Sequence, residues 1–166
     1  DKISACDINN YLKSFDKDIS AKVFRTRLGS HLMYNELKKI KLPKNATQVQ
    51  KKYAFEKANI EIAKALNHQK AISKASDASL KKAKQQLKDK RAEIKEKKKG
   101  NHSTKSLEER IKKKKDAIDL KEVGKNISTG TSKTNYIDPR LAVAWVKSNE
   151  MDIKGIYTAT LQRKFR

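Results

Sequence analysis

Apolar residues recur at three- and four-residue steps along most of this chain, the spacing that gathers them on one side of an α-helix. Ile8, Leu12 and Phe15 form the first stripe, with Asp7 as candidate cap of a helix running to about Phe15. Ser20 precedes a second helix, in which Phe24, Leu28 and Leu32 recur every four residues. Leu37 and Ile40 extend that stripe, and Leu42-Pro43 stops it. Thr47 opens a third, with Phe55, Ala58, Ile62 and Leu66 at helical spacing. Leu80, Ala83, Leu87 and Ile94 then follow a 3-4-7 spacing, and Leu107, Ile111 and Ile118 a 4-7 one. Between these runs Gly100-Asn101-His102-Ser103 signals a turn, and Ser106-Leu107-Glu108-Glu109 fits a capping box at the next helix start. Two short heptad runs predict an antiparallel helix pair, not a long coiled coil. No stretch alternates convincingly as a strand would. The fold class expected is mainly α.

Near the end, Gly130-Thr131-Ser132-Lys133-Thr134-Asn135-Tyr136 is small and polar and reads as a loop that delivers one aromatic hydroxyl. Asp138-Pro139 then starts a helix, with Asp as N-cap and Pro at the first helical position. Leu141, Ala144 and Trp145 supply its apolar side. The aromatic residues divide the chain. Six lie between Tyr11 and Phe55, four between Tyr136 and Phe165, and none in between. A packed core draws heavily on aromatic area, so the middle is expected to be extended. The division predicted is a compact helical piece over 1–70, a basic helical-hairpin linker over 71–128, and a short helical segment over 129–166 carrying Tyr136.

Charge sharpens that division. The 166 residues include 41 Lys or Arg and 19 Asp or Glu, a formal net charge of +22. From Lys70 to Gly130 there are 20 basic residues against 9 acids, so half of the excess lies in the predicted hairpin. A pI near 10 with this excess points to a polyanion as partner. Lys97-Lys98-Lys99 and Lys112 to Lys115 are either a solvated helix surface or a face for a phosphate backbone; both roles are compatible. Cys6 is the single cysteine, which excludes disulfide frameworks and thiolate metal clusters. No apolar run approaches the roughly 18 residues of a membrane span, so no membrane association is expected. The chain opens Asp1-Lys2-Ile3, with no initiator Met and no apolar leader, and is expected to be a fragment of something longer.

Three segments together resemble the C-terminal catalytic part of eukaryotic-type DNA topoisomerase IB. They are Ala21-Lys22-Val23-Phe24-Arg25-Thr26, then Asn67-His68-Gln69, then Gly130 through Tyr136-Ile137-Asp138-Pro139-Arg140. Their order matches that family, as does a charged two-helix linker between the His and Tyr segments. The stretch from Ile156-Tyr157 to Lys164-Phe165 resembles the family's closing helix, cut short. The resemblance implies a reversible transesterification on one strand of double-stranded DNA. Tyr136 would attack a backbone phosphodiester to form a 3′-phosphotyrosyl bond, and the released 5′-hydroxyl would later attack back. One phosphoester replaces another, so relaxation needs no ATP and no cofactor.

That chemistry suits the residue types. A tyrosine hydroxyl ordinarily ionises near pH 10 and is a weak nucleophile unless it is helped. Donors aimed at the oxygens where charge develops provide the help. Arg25 is permanently charged and fork-shaped, and His68 can add a hydrogen bond from its imidazole. With both present a metal ion is not required for charge stabilisation, and no carboxylate cluster stands ready to hold one. Lys22, Thr131, Lys133 and Asn135 are the candidate DNA contacts, Thr131 and Asn135 shaping the loop around Tyr136. Each has an ordinary alternative: a surface Arg, a His at a helix end facing the last carbonyls, a half-buried packing Tyr. His31 and His102 are assigned no role.

The resemblance also implies what is missing. A second Arg and a general-acid Lys complete the family's site, both upstream of the matching segments, so an upstream core domain or chain is expected as partner. Arg27-Leu28-Gly29 stands where eukaryotic members usually have Tyr-Asn-Ala, and Met151-Asp152-Ile153-Lys154 where they usually have Val-Pro-Ile-Glu. With a short linker, these departures point towards an archaeal or divergent protist member. The place of action would be the nucleus in a eukaryote and the cytoplasm or nucleoid in an archaeon. The hairpin would lie near DNA downstream of the cut and slow strand rotation. Two other classes stay open: a tyrosine recombinase, disfavoured by Lys22 where a His is common, and a non-enzymatic basic helical DNA-binding protein.

Overall fold

The computed structural model describes residues 2–99 and 103–163. The described chain runs through α1 (Ala5–Lys13), α2 (Ala21–Lys39), α3 (Gln48–Ala65), α4 (Lys74–Lys99), α5 (Lys105–Val123), α6 (Thr129–Asn135), α7 (Pro139–Ser148), a 3-10 turn (Ile153–Gly155) and α8 (Ala159–Arg163). The mainly helical class expected from periodicity is what is found. The extended pairing among the described residues is a single antiparallel bridge, Gln69 with Ile127. No described helix is long and apolar enough to cross a membrane.

Helix α3 is the axis of the core. Thr47 caps it and Gln50 reaches back, a capping box that satisfies two otherwise orphaned N–H groups. Phe55, Ala58, Ile62 and Leu66 are buried, as their spacing predicts, and meet Met33 and Leu37 of α2, Ala142 and Val146 of α7, and Ile137, Ile156 and Tyr157. Trp145 lies against Phe55 with ring centroids 5.6 Å apart.

Several elements differ from the expectation. Helix α1 begins at a capping box in which Ser4 Oγ accepts from Asp7 N–H and the Asp7 carboxylate accepts from Ser4 N–H. Ser4, not Asp7, is therefore the cap, and the helix ends at Lys13 with Ile8 and Phe15 exposed. In α2 the expected stripe divides: Phe24 and Leu28 are 57% and 49% exposed, Leu32 and Ile40 pack partly buried on the core, and Leu37 is buried together with Gly29 and Met33. The reason is steric. A Cβ on Gly29 would stand 2.5 Å from the Tyr136 carbonyl oxygen, so the closest approach of the tail is made over a residue with no side chain.

Helix α5 starts at Lys105, one residue ahead of Ser106, because Thr104 takes the cap position and its hydroxyl donates to Glu108. The predicted turn over Gly100–His102 lies outside the described residues. In α7, Ala142 and Val146 are buried and Ala144 is exposed. Its phase is set by buried Ile137 and by the Asp138 N–H, which donates to Ser30 Oγ at 2.9 Å. Asp138 and Pro139 are nevertheless the cap and first residue expected.

The hairpin of α4 and α5 buries little: Leu87, Ile94 and Ile118. Lysine pairs cross it, Lys98 with Glu108 and Lys125 with Asp77, each at 2.7 Å, and Lys84 with Glu122. Near its base α5 packs on α3, where Gly124 allows close approach to Ile60. The base is closed by two backbone bonds, Lys70 N–H to the Asn126 carbonyl at 2.9 Å and Ser128 N–H to the His68 carbonyl at 2.7 Å.

Candidate active site

The site forms where α3 ends. Asn67 follows the helix with φ 56°, a left-handed conformation that Asn tolerates better than most residues. Its N–H donates to the Lys64 carbonyl at 2.9 Å, and the next N–H, of His68, donates to the Ala63 carbonyl at 2.8 Å. This pair of reversed bonds is the Schellman ending, and it turns the chain so that His68 projects beside the helix end. Asn67-His68 thus has a local reason: the first residue supplies the turn and the second is what the turn delivers.

Arg25 reaches the same place from α2. One Nη2–H donates to the carbonyl of Leu66, the last residue before the turn. A cation at the C-terminal end of α3 also complements the helix dipole. It is Arg25, not His68, that takes this carbonyl. The other guanidinium N–H groups have no partner among the described residues. Tyr136 arrives from α6, whose last turn it ends with φ −132° and ψ −1°. The expected polar loop is in fact this seven-residue helix. Its composition is poor for a helix, and Asn59 of α3 holds it, accepting a buried hydrogen bond from the Ser132 hydroxyl and donating to the Thr129 carbonyl.

The three side chains meet. The His68 and Tyr136 rings lie 4.9 Å apart, centroid to centroid, and inclined by 37°. Arg25 Cζ stands 5.1 Å from the Tyr136 ring centroid, and Lys22 Nζ stands 5.9 Å from it. Both distances lie within cation–π range. His68 is 8% exposed, and neither ring nitrogen has a partner among the described residues. Burial, and then the nearby Arg25 charge, lower its pKa from the ordinary 6.5. At neutral pH the ring is therefore uncharged, with one nitrogen able to donate and one to accept. A shallow groove of about 640 Å³ runs between α2 and the start of α7, lined by Lys22, Thr26, Arg27, Ser30, Asp138 and others.

Of the other sequence candidates, Asn135 is exposed beside Tyr136. Thr131 is one turn further back, its hydroxyl 2.9 Å from that of Ser128. Lys133 points away from the cluster. Its ammonium pairs with Glu56 at 2.7 Å and faces the Ile156 carbonyl, so its charge is spent inside the protein. Sequence reasoning missed Gly29, Glu56, Asn59 and Ser132. The one available signal was Asn59, a polar residue in the middle of the apolar stripe of α3.

Two family models match. One, described as "Eukaryotic DNA topoisomerase I, catalytic core", matches residues 1–101. The other, "C-terminal topoisomerase domain", matches residues 108–166. The chain belongs to the eukaryotic DNA topoisomerase I family. All of it aligns with DNA topoisomerase 1 of Caenorhabditis elegans at 36% identity, covering 22% of that protein. It is 32% identical to DNA topoisomerase 1 of Drosophila melanogaster over 99% of the chain and 18% of that protein. DNA topoisomerase 1 of Homo sapiens is 30% identical, with 99% of the chain and 24% of that protein covered. The chain spans about a fifth of the length of these relatives. They are animal proteins, and the archaeal or divergent protist origin expected from Arg27-Leu28-Gly29, Met151-Asp152-Ile153-Lys154 and the short linker is not shown by them.

Proposed function

We propose that this chain is the nucleophile-bearing part of a type IB topoisomerase that relaxes double-stranded DNA through a 3′-phosphotyrosyl intermediate. The observation that carries this reading is the convergence of Arg25, His68 and Tyr136 at the end of α3 from three separated segments. The Tyr136 hydroxyl attacks a backbone phosphorus and its proton passes to solvent. The bond to the 5′ oxygen breaks, and that oxygen leaves as a hydroxyl after protonation by a general acid from upstream polypeptide. The unoccupied N–H groups of Arg25 bind the non-bridging oxygens where charge accumulates, and neutral His68 donates from one ring nitrogen. Religation is the same path reversed. The groups named here supply positive charge and hydrogen bonds; the reading calls on no cofactor.

Lys22 contacts a flanking phosphate, and Asn135 stands close enough to the nucleophile to touch the scissile strand. Thr131 acts by shaping the last turns before Tyr136, and Lys133 by fixing α6, not by touching DNA. Binding through phosphates suits action at many sequences. The division into 1–70, 71–128 and 129–166 is part of this reading, and the backbone bonds of Lys70 to Asn126 and of Ser128 to His68 support it. The hairpin's excess of lysine slows strand rotation beside DNA. The family argues for a nuclear place of action.

The test is relaxation of supercoiled plasmid, without ATP, by the full-length parent protein and by its Arg25→Ala variant. Loss of one charge-stabilising donor costs on the order of 10²- to 10³-fold in such sites. Relaxation at the parent rate after Arg25→Ala would contradict the reading. DNA affinity should meanwhile fall with salt, log K dropping by about 0.9 per neutralised phosphate for each unit of log salt.

A further inference from the structure

Helix α6 cannot hold its own shape. Thr129–Asn135 is seven residues of Thr, Gly, Ser, Lys and Asn, far shorter than an isolated helix needs and built from weak helix formers. Yet Tyr136 hangs directly on it, its N–H donating to the Ser132 carbonyl at 3.0 Å. Something else must fix the helix. Two contacts from one side of α3 do so. Asn59 is fully buried; its Nδ2–H donates to the Thr129 carbonyl at 3.0 Å, and its Oδ1 accepts from the Ser132 hydroxyl at 2.7 Å. Three residues earlier, Glu56 holds the Lys133 ammonium at 2.7 Å, both side chains only 16% exposed.

The arrangement has a consequence for geometry. Ser132 and Lys133 lie four and three residues before Tyr136, and Glu56 and Asn59 lie on the helix whose end delivers His68 and accepts Arg25. The nucleophile and the charge-stabilising groups are therefore measured from one ruler, α3. We propose that Glu56 and Asn59 are positioning residues for Tyr136, acting through Lys133 and Ser132, and that they set its hydroxyl against the phosphate bound by Arg25 and His68. The inference rests on the reading of Tyr136 as nucleophile. It assigns Lys133 and Ser132 to placement of the attacking atom and not to DNA affinity.

A displacement of about 1 Å in a reacting group can cost 10²-fold in rate. The experiment uses the full-length parent protein with Glu56→Ala, Glu56→Gln and Ser132→Ala. It measures single-turnover cleavage of a suicide DNA duplex, religation of the trapped complex, equilibrium DNA affinity and melting temperature. Wild type and Tyr136→Phe run in parallel. We expect Glu56→Ala and Ser132→Ala each to slow cleavage and religation together, by at least tenfold, with DNA affinity within twofold of wild type. Glu56→Gln keeps an acceptor oxygen at the same reach and should recover most of the cleavage rate.

Cleavage at the wild-type rate in both alanine variants overturns the proposal. So does a rate loss matched by an equal loss of DNA affinity or cured by assaying well below the variant's melting temperature, since a general structural role then suffices. Should Ser132→Ala fail to fold, the two Glu56 variants decide: slow cleavage in Glu56→Ala restored in Glu56→Gln supports the proposal, and equal rates overturn it. Unaltered variants beside a Tyr136-dependent wild-type adduct refute the anchors alone. A wild type giving no Tyr136-dependent adduct refutes the underlying reading, and the anchors with it.

Discussion

Helix α3 and the α4/α5 hairpin are both helical and are opposite in construction. Six residues of α3 are buried, including Asn59, whose polar atoms are all engaged. The hairpin, more than twice as long in sequence, buries three and is laced across its surface by lysine pairs that remain largely in water. One region buries its side chains in a shared core; the other carries charge on a light frame. The contrast separates two jobs. Positioning of Tyr136, His68 and Arg25 belongs to the packed part. The proposed attraction for a polyanion is assigned to the hairpin, which needs charge more than close packing.

The largest expected difference is in stability. Phe55→Ala removes a fully buried ring that also packs on Trp145, and should cost about 3–5 kcal/mol of global unfolding free energy. Leu87→Ala in the hairpin should loosen that hairpin and leave the melting of the core nearly unchanged. Differential scanning calorimetry checks both, and equal losses would erase the comparison. Next comes Gly29→Val, which drives a side chain into the Tyr136 carbonyl. Overpacking of this kind costs about 1–3 kcal/mol. It should also slow cleavage, because the strain is relieved by moving Tyr136, the proposed nucleophile.

A smaller effect concerns pH. The folded-state pKa of His68 is lowered, so between that value and the ordinary 6.5 the unfolded chain binds more protons than the folded one. Stability contributed by keeping this ring neutral is complete above about 6.5 and is lost as pH falls through the window below it. Urea melts between pH 7.5 and 5 should show the loss, and His68→Gln should flatten that part of the curve. The smallest effect is in the hairpin's ion pairs. Lys84→Ala breaks the exposed pair with Glu122 and should change stability by well under 1 kcal/mol at moderate salt. Replacing residues 88–115 by a short Gly-Ser loop spares the α5 contacts on α3; it should leave single-turnover cleavage intact while changing relaxation rate.

How far the sequence could be read depended on what sets each feature. The stripe of α3 was legible because its burial is large, regular and one-sided. Asp138-Pro139 was legible because capping is local chemistry. The first half of the α2 face was not, since the deciding residue there is Gly29, which adds nothing to an apolar pattern and matters only once Tyr136 sits above it. Helix α6 was not, because tertiary bonds from Asn59 and Glu56 override weak propensity in Thr129–Asn135. The candidate cluster rests on resemblance, and only the placement of His68 has a local cause, the turn at Asn67; Arg25 reaches the Leu66 carbonyl from 41 residues away. The role given to Lys133 was drawn from its neighbourhood in sequence, which says nothing of the partner that lies 77 residues away.

The central claim is that Tyr136 attacks DNA, and one measurement addresses it directly. The full-length parent protein is trapped on a suicide DNA duplex, digested with protease, and the nucleotide-linked peptide is sequenced by mass spectrometry. The account predicts a single linkage, from a DNA 3′ phosphate to the Tyr136 oxygen, absent in Tyr136→Phe. Linkage through another residue, through a 5′ phosphate, or an adduct that survives Tyr136→Phe would contradict it.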